Sequence, residues 1–309
     1  MKISIVIPTF NEFKNIEDIT KDIEKIFSEL DYDYEQIIID NSSTDGTIEK
    51  IKQLAKENKN IKVIINSRNY GHIRSPFYGI LQSSGDATIL MAADYQDPPA
   101  LINEYIKLWE KGKKIVLAQK KTSDENKLIF KIRKFFYRFL NKISDQSLTN
   151  DTTGAGLYDK SIVSVLKNIK DPYPYFRGLI SELTNEIAFV EFIQPVRKSG
   201  ITKNNFYTLY DIGMLGIVKH SRAPLRFMTL VGFCASIISF LIGIFYFFYK
   251  ILFWNTFSLG LAPIIIGIFF VSSIQILLLG LMGEYIGVIL LHQRNMPLVV
   301  EKERINFEN

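Results

Sequence analysis

An α/β domain built from βαβ units and followed by two membrane-spanning helices is the fold class this sequence predicts. Three observations predict it. Over residues 1 to about 120, short apolar and β-branched runs alternate with segments of helical periodicity. Polar and acidic residues gather directly after those runs, where an open parallel sheet meets its ligands. Beyond residue 226 the chain holds two long stretches without a formal charge.

The elements follow in order. Ile3 to Ile7 reads as a first strand, and Asn15 to Leu30 as a helix with Ile16, Ile19, Ile23, Ile26, Phe27 and Leu30 on one face. Ile37 to Ile39 is a fully apolar second strand ending at Asp40, followed by a turn rich in Ser and Thr and a helix from Thr47 to Asn58. Lys62 to Ile65 is a third strand, Ser75 to Gln82 a helix, Ala87 to Met91 a fourth strand and Ile115 to Ala118 a fifth. Pro98 and Pro99 suit the start of a helix before Ala100, Leu101 and Ile102.

The second part of the chain is set by the membrane. Residues 126–146 place Leu128, Ile132, Phe135, Phe136, Phe139, Leu140 and Ile143 on one side and many cations on the other. That pattern fits an interfacial helix lying on a bilayer, and equally a basic surface helix packed on the soluble domain. A second such region, 207–219, leads into the first span. Phe227 to Tyr249 gives 23 residues without a charge, and Ile251 to Gly283 another 33. At about 1.5 Å per residue the first run is roughly 34 Å long, enough for a hydrocarbon core of about 30 Å. Lys219, His220, Arg222 and Arg226 precede the first span and Arg294, Lys302 and Arg304 follow the second, whereas the connecting loop holds only Lys250. The positive-inside rule then puts both termini in the cytoplasm, on a multi-pass protein of the cell membrane. The predicted boundaries are a cytoplasmic domain at 1–204, juxtamembrane helices at 205–224, spans at 225–249 and 259–291, and a cytoplasmic tail at 292–309.

Composition narrows the partners. The 309 residues carry a net charge of +5, and the basic residues cluster beside the membrane. Anionic lipid explains that better than nucleic acid, which is not an expected partner. The single cysteine, Cys234, lies inside the first span, so an intramolecular disulfide and a cysteine-based metal site are excluded. The start MKISIVIPTF shows no signal peptide. Nothing in the pattern opposes a homo-oligomer.

Two carboxylates stand out in MAADYQDPP, at the exit of the fourth strand. Asp94 and Asp97 are placed there to meet a ligand, or a metal held by hard oxygens. The plain alternative is a pair of turn or cap residues.

Three segments together resemble the family 2 glycosyltransferases: Ile5 to Glu12 (IVIPTFNE), Asp40 to Thr47 (DNSSTDGT) and Ala93 to Pro99 (ADYQDPP). More narrowly, the chain is similar to the polyprenyl-phosphate sugar transferases, also through Arg197 to Lys203 (RKSGITK) and Gly283 to Gly287 (GEYIG). The resemblance implies a GT-A-type nucleotide-sugar-binding domain with a Rossmann-like mixed sheet, followed by a two-helix transmembrane hairpin. It implies that Asp94 and Gln96 hold Mg²⁺ or Mn²⁺ against the donor diphosphate, with Asp97 a helix-start residue. Pro8, Thr9, Asn11, Glu12 and Asp40 would line the base and ribose pocket. Arg197 and Lys203 would close over the donor phosphates. Lys120 and Arg133 are candidate partners of the acceptor phosphate.

The chain departs from the family at three places. Ala92-Ala93-Asp94 stands where the family usually has Asp-Ala-Asp, and Asp40-Asn41-Ser42-Ser43 where it often has Asp-Asp-Gly-Ser. The position of the usual catalytic base is Gly154, with Asp151 nearby as a displaced base. The expected activity is inverting transfer of one sugar from a nucleotide-sugar donor to polyprenyl phosphate at the cytoplasmic membrane face, for cell-envelope glycan or glycolipid assembly. Two other activities compete with it: transfer to a lipid hydroxyl, and a catalytically weak scaffold that only binds the nucleotide sugar.

Overall fold

A computed structural model describes residues 1–120, 152–184, 186–195, 214, 218–219, 221, 223–253 and 261–307 of the chain. The predicted βαβ alternation is its framework: β1 (Lys2–Thr9), α1 (Ile16–Ser28), β2 (Asp33–Asp40), α2 (Thr47–Glu57), β3 (Ile61–Asn66), α3 (Gly71–Leu81), β4 (Ala87–Leu90), α4 (Leu101–Glu110) and β5 (Ile115–Lys120). Among the described residues, five further elements lie between these and the chain end, apart from the two long apolar helices. They are β6 (Thr152–Asp159), α5 (Lys160–Asn168), α6 (Phe176–Leu183), β7 (Ile187–Phe192) and β8 (Glu301–Ile305).

One eight-stranded sheet joins the strands in the order β7-β5-β6-β4-β1-β2-β3-β8. Its apolar residues divide by the two-residue period of a strand. Ile3, Ile5, Ile7 and Ile38 face α1, α2 and α4, packing on Ile16, Ile19, Ile51, Ile102 and Trp109. Val6, Ile37, Ile39 and Ile64 face the other way, toward Phe77 and Ile80 of α3, Val163 and Leu166 of α5, and Ile180 of α6. Both faces are covered, so the central strands are apolar throughout. Each fully buried isoleucine contributes about 1.5–3 kcal/mol.

The sheet is mixed: β6 runs antiparallel to both β4 and β5, and β8 antiparallel to β3. The chain moves from β1 outward through β2 and β3, then returns to place β4 on the other side of β1. That reversal is a topological switch point at the C-terminal ends of β1 and β4, the place where open α/β sheets bind their ligands.

At the opposite end of the sheet Glu35 is buried beneath Lys2 (2.6 Å) and Lys62 (2.8 Å), with Ser4 and Ser84 also donating to it. Burial opposes its charge, but those donors together hold its carboxyl at a pKa of about 2. A cleft of about 770 Å³ opens beside it. Of its cations, Lys2 and Lys62 are committed to Glu35 and Lys59 donates to Asn306 Oδ1 (3.4 Å), so that end of the sheet is a structural anchor.

Two long apolar helices follow, α7 (Ala223–Leu252) and α8 (Leu261–Gln293), each long and apolar enough to cross a membrane. Large side chains such as Phe240, Leu252, Phe269 and Leu277 stand fully outward from them. The helices are tied to the soluble domain at their inner ends. Lys219 Nζ donates to both carboxylate oxygens of Asp171 (2.8 and 2.7 Å) and to the Tyr173 carbonyl, and His292 Nε2 lies 3.5 Å from Asp171. Tyr285 donates to the Ser221 carbonyl, and Arg74 to that of Pro297. The segment expected to be only a tail therefore returns to the sheet as β8, where Lys52 pairs with Glu303.

Candidate active site

Five strands bring the sequence-predicted residues to one edge. Thr9 is in register with Asp40, and Val6 with Leu90, so the exits of β1, β2 and β4 lie side by side. Because β6 is antiparallel, its first residues reach the same edge, with Gln119 paired to Thr152 and Leu90 to Gly156. Lys120, half-buried at the end of β5, is there too. It stands two strand spacings from β4, about 10 Å.

The chain leaves three of these strands by a left-handed residue: Asn11 (φ 57°), Ser42 (φ 64°) and Tyr95 (φ 63°). Such conformations cost about 1–3 kcal/mol for ordinary residues and persist where neighbours fix them. The neighbours are present. Asn11 N–H donates to Ser43 Oγ (2.8 Å) while its Oδ1 accepts from Thr44 N–H (2.8 Å), which ties the first exit loop to the second. Tyr95 donates to Asp22 (2.7 Å), which ties its ring to α1.

Asp40 is fully buried and accepts from Ser43 through both N–H (2.9 Å) and Oγ (2.5 Å). Burial pushes its carboxyl above the usual range, against the Ser43 bonds. Asp45 has the opposite balance: burial works against its charge, but donors from Thr47 and Phe13 outweigh it and hold it low. Glu12 is buried and accepts from Asn15 (2.6 Å), so it holds the first turn together. Thr9 is also buried, its hydroxyl turned back to the Ile7 carbonyl (3.1 Å), and Pro8 is half-buried beside it.

Asp94 lies in the turn after β4, nine-tenths buried, with Oδ1 accepting from Gln96 N–H (3.1 Å). Gln96 is half-buried and two residues further on. Asp97 differs from the helix-start expectation. The N-cap of α4 is Ala100, with no side-chain cap. Asp97 is instead buried near Tyr105, whose hydroxyl is pushed up first by burial and then by that negative charge. Two prolines between Asp97 and the helix carry the chain past the capping position.

Gly154 lies on β6 two residues before Gly156, which pairs with Leu90 at the end of β4. Its φ is +84° and its carbonyl accepts from Tyr158 (2.6 Å). The usual base position thus has no side chain and a backbone conformation that disfavours one. Arg133, Asp151, Arg197, Lys203 and the 126–146 helix lie outside the described residues.

Among the described residues no three carboxylate, histidine or cysteine groups converge to make a protein-only metal cage. Asp94 with Gln96 offers a few hard oxygens at an open edge. That donor set fits Mg²⁺ or Mn²⁺, which bind through one or two carboxylates and complete their shell with water and phosphate oxygens.

Residues 4–166 match the profile of Glycosyl transferase family 2. The putative glycosyltransferase CsbB of Bacillus subtilis (strain 168) is 32% identical over 301 residues, covering 97% of this chain and 91% of that protein. The bactoprenol glucosyl transferase of Shigella phage SfII is 30% identical over 304 residues, covering 98% of each. Among solved structures, glucosyl-3-phosphoglycerate synthase from Mycobacterium tuberculosis, in complex with Mn²⁺, UDP-glucose and phosphoglyceric acid, superposes with a TM-score of 0.52 at 18% identity. That match covers 70% of this chain and 77% of that one. The shared fold is the mixed GT-A sheet with its switch point, and with the match over more than half its length the chain belongs to glycosyl transferase family 2.

Proposed function

We propose that the protein is a membrane-anchored, inverting glycosyltransferase that moves one sugar from a nucleotide-sugar donor to polyprenyl phosphate at the cytoplasmic face, for cell-envelope glycan or glycolipid assembly. The observation that carries this reading is the side-chain-free, left-handed Gly154, on β6 two residues before the Gly156 that pairs with Leu90 at the exit of β4. A hydroxyl acceptor must lose a proton as it attacks, and general base catalysis there is worth roughly 10²–10⁴-fold. A phosphate monoester, with a second pKa of about 6, already carries its negative charge at neutral pH. An acceptor of that kind needs positioning and no base. Relatives named bactoprenol glucosyl transferase, matched over nearly their whole length, support the same acceptor class.

In this reading Asn11 and Asp40 hold the base and ribose at the exits of β1 and β2. Arg197 and Lys203 pair with the donor phosphates. Asp94 and Gln96 would hold Mg²⁺ or Mn²⁺, as the complex of the M. tuberculosis synthase with Mn²⁺ and UDP-glucose supports. Bound there, the cation supplies charge neutralisation for the departing nucleoside diphosphate. Lys120 and Arg133 hold the acceptor phosphate, one of whose oxygens bonds to the anomeric carbon as the bond to the diphosphate breaks on the opposite face. The two apolar helices fix the domain at the surface where the lipid phosphate lies, with both termini cytoplasmic.

The test is mass spectrometry of the lipid made when the full chain, in membranes, receives polyprenyl phosphate and a mixture of nucleotide sugars. The expected product is a polyprenyl phosphate carrying one sugar. A glycosylated lipid without the phosphate, or donor binding with no transfer at all, overturns the proposal.

A further inference from the structure

On the far side of the switch point two guanidinium groups carry charge that no carboxylate answers. Arg68 follows β3 and Arg74 lies in the first turn of α3, and their central carbons sit 4.7 and 5.0 Å from the centroid of the Tyr70 ring. Among the described residues neither makes an ion pair. Arg74 donates through Nη2 to the Pro297 carbonyl (2.5 Å), and its Nε is buried with no partner. Burial, and then the charge of Arg68, push the Arg74 pKa below the usual range. Two cations held together this way are stabilised by an anion between them.

The place of the pair limits which anion. Pro297 is four residues past the end of α8 at Gln293, and Ser67 N–H donates to the Val300 carbonyl (2.9 Å). Four residues reach at most about 14 Å. The headgroup layer itself occupies roughly 5–7 Å beyond the hydrocarbon core on each side. Exposed Met296 and Val300 flank the pair. In the proposed reading the reacting phosphates lie at the β4 exit, and β3 is separated from β4 by β1 and β2, three strand spacings or about 14 Å. The base and ribose, nearer by, carry no charge.

We propose that Arg68 and Arg74, set around Tyr70, bind the phosphodiester of an anionic phospholipid headgroup and hold the β3 side of the catalytic domain against the bilayer. The inference rests on the reading of α7 and α8 as membrane spans. Both guanidinium groups lie against the Tyr70 ring, whose backbone N–H is fixed by Asn41 Oδ1 (3.2 Å) at the exit of β2. A bound headgroup would therefore also steady the nucleotide side of the site.

The experiment reconstitutes the full chain into nanodiscs of phosphatidylcholine mixed with phosphatidylglycerol and counts the lipids retained by native mass spectrometry. Wild type is expected to retain phosphatidylglycerol in preference to phosphatidylcholine. Each cation removed should weaken that preference about fivefold. Arg68→Gln is the primary variant, because Arg68 makes no bond to the returning C-terminal segment; Arg68→Gln/Arg74→Gln is the second. Equal retention by wild type and both variants, all resistant to alkaline carbonate extraction, overturns the inference and leaves the proposed activity standing. Wild type released by carbonate removes the spanning reading and the inference with it. Displacement of the lipid by inorganic phosphate, or preferential retention of polyprenyl phosphate, also overturns it, since either assigns the pair to a different phosphate.

Discussion

Asp94 follows the exit of β4 and Gly154 lies on the neighbouring strand β6, and each predicts a distinct outcome. Asp94→Asn removes the one carboxylate at the proposed cation position without opening a cavity. Donor turnover is expected to fall on the order of a thousandfold, because such a cation supplies several kcal/mol of charge stabilisation, while the thermal midpoint stays within a degree or two. Asp97→Asn should change turnover little and stability more, since Asp97 is buried against Tyr105. Kinetics and melting of both variants check this, and a dead Asp97→Asn beside an active Asp94→Asn would reverse the assignment. Restoring a carboxylate by Gly154→Asp should give no rate gain and cost about 1–2 kcal/mol, because the φ of +84° penalises any Cβ. The positions of Asp40 and Asp94 at strand exits were legible because each follows an apolar run. The left-handed turns at Asn11, Ser42 and Tyr95 were not legible. None is glycine, and their conformations are imposed by contacts from other loops, as Ser43 and Thr44 impose that of Asn11.

At the scale of elements, two strands carry predictions of opposite origin. Gly156 on β6 is packed so closely on β5 that a Cβ would lie 2.1 Å from the Val116 carbonyl oxygen. Gly156→Ala should destabilise by about 3 kcal/mol or more and speed amide exchange across β5 and β6. At the other end of the sheet Glu35 has a folded pKa of about 2 against an ordinary 4.5. A depressed carboxylate pKa contributes stability above the unfolded value and loses it as pH falls through the folded one. Its contribution, at most about 3 kcal/mol, is therefore expected to vanish between pH 4.5 and about 2. Hydrogen exchange of the β2 amides should show that loss in wild type, and Glu35→Gln should flatten it. The first five strands were readable from their apolar runs. β6 was not, because Thr-Thr-Gly-Ala-Gly-Leu-Tyr-Asp carries two glycines that weaken a strand signal. β8, Glu-Lys-Glu-Arg-Ile, is charged because it is an edge strand, and charge hides a strand from a hydrophobic reading.

In the molecule as a whole the catalytic domain is tied to both ends of a helical pair long and apolar enough to cross a membrane, since α7 begins beside the Lys219–Asp171 bond and α8 leads back into the sheet through β8. Deleting 301–309 while keeping both helices should therefore loosen β3, with its amides exchanging at least about tenfold faster, because the deletion removes a paired strand and the Lys52–Glu303 and Asn306 contacts. Unchanged β3 protection would show that the returning strand contributes nothing. The two long apolar runs made the two long helices legible from composition alone. The return of the chain to the sheet was not, since it depends on a pairing between residues more than two hundred positions apart. The central claim is that the acceptor supplies its own negative charge. The most direct test is to compare, with one donor and the full chain in membranes, transfer to polyprenyl phosphate and to the corresponding polyprenyl alcohol as pH rises. The account predicts transfer to the phosphate alone, with a rate that rises through the acceptor's second ionisation near pH 6 and levels off above roughly pH 7. Comparable transfer to the alcohol, or a rate governed by an ionisation the phosphate does not have, would contradict it.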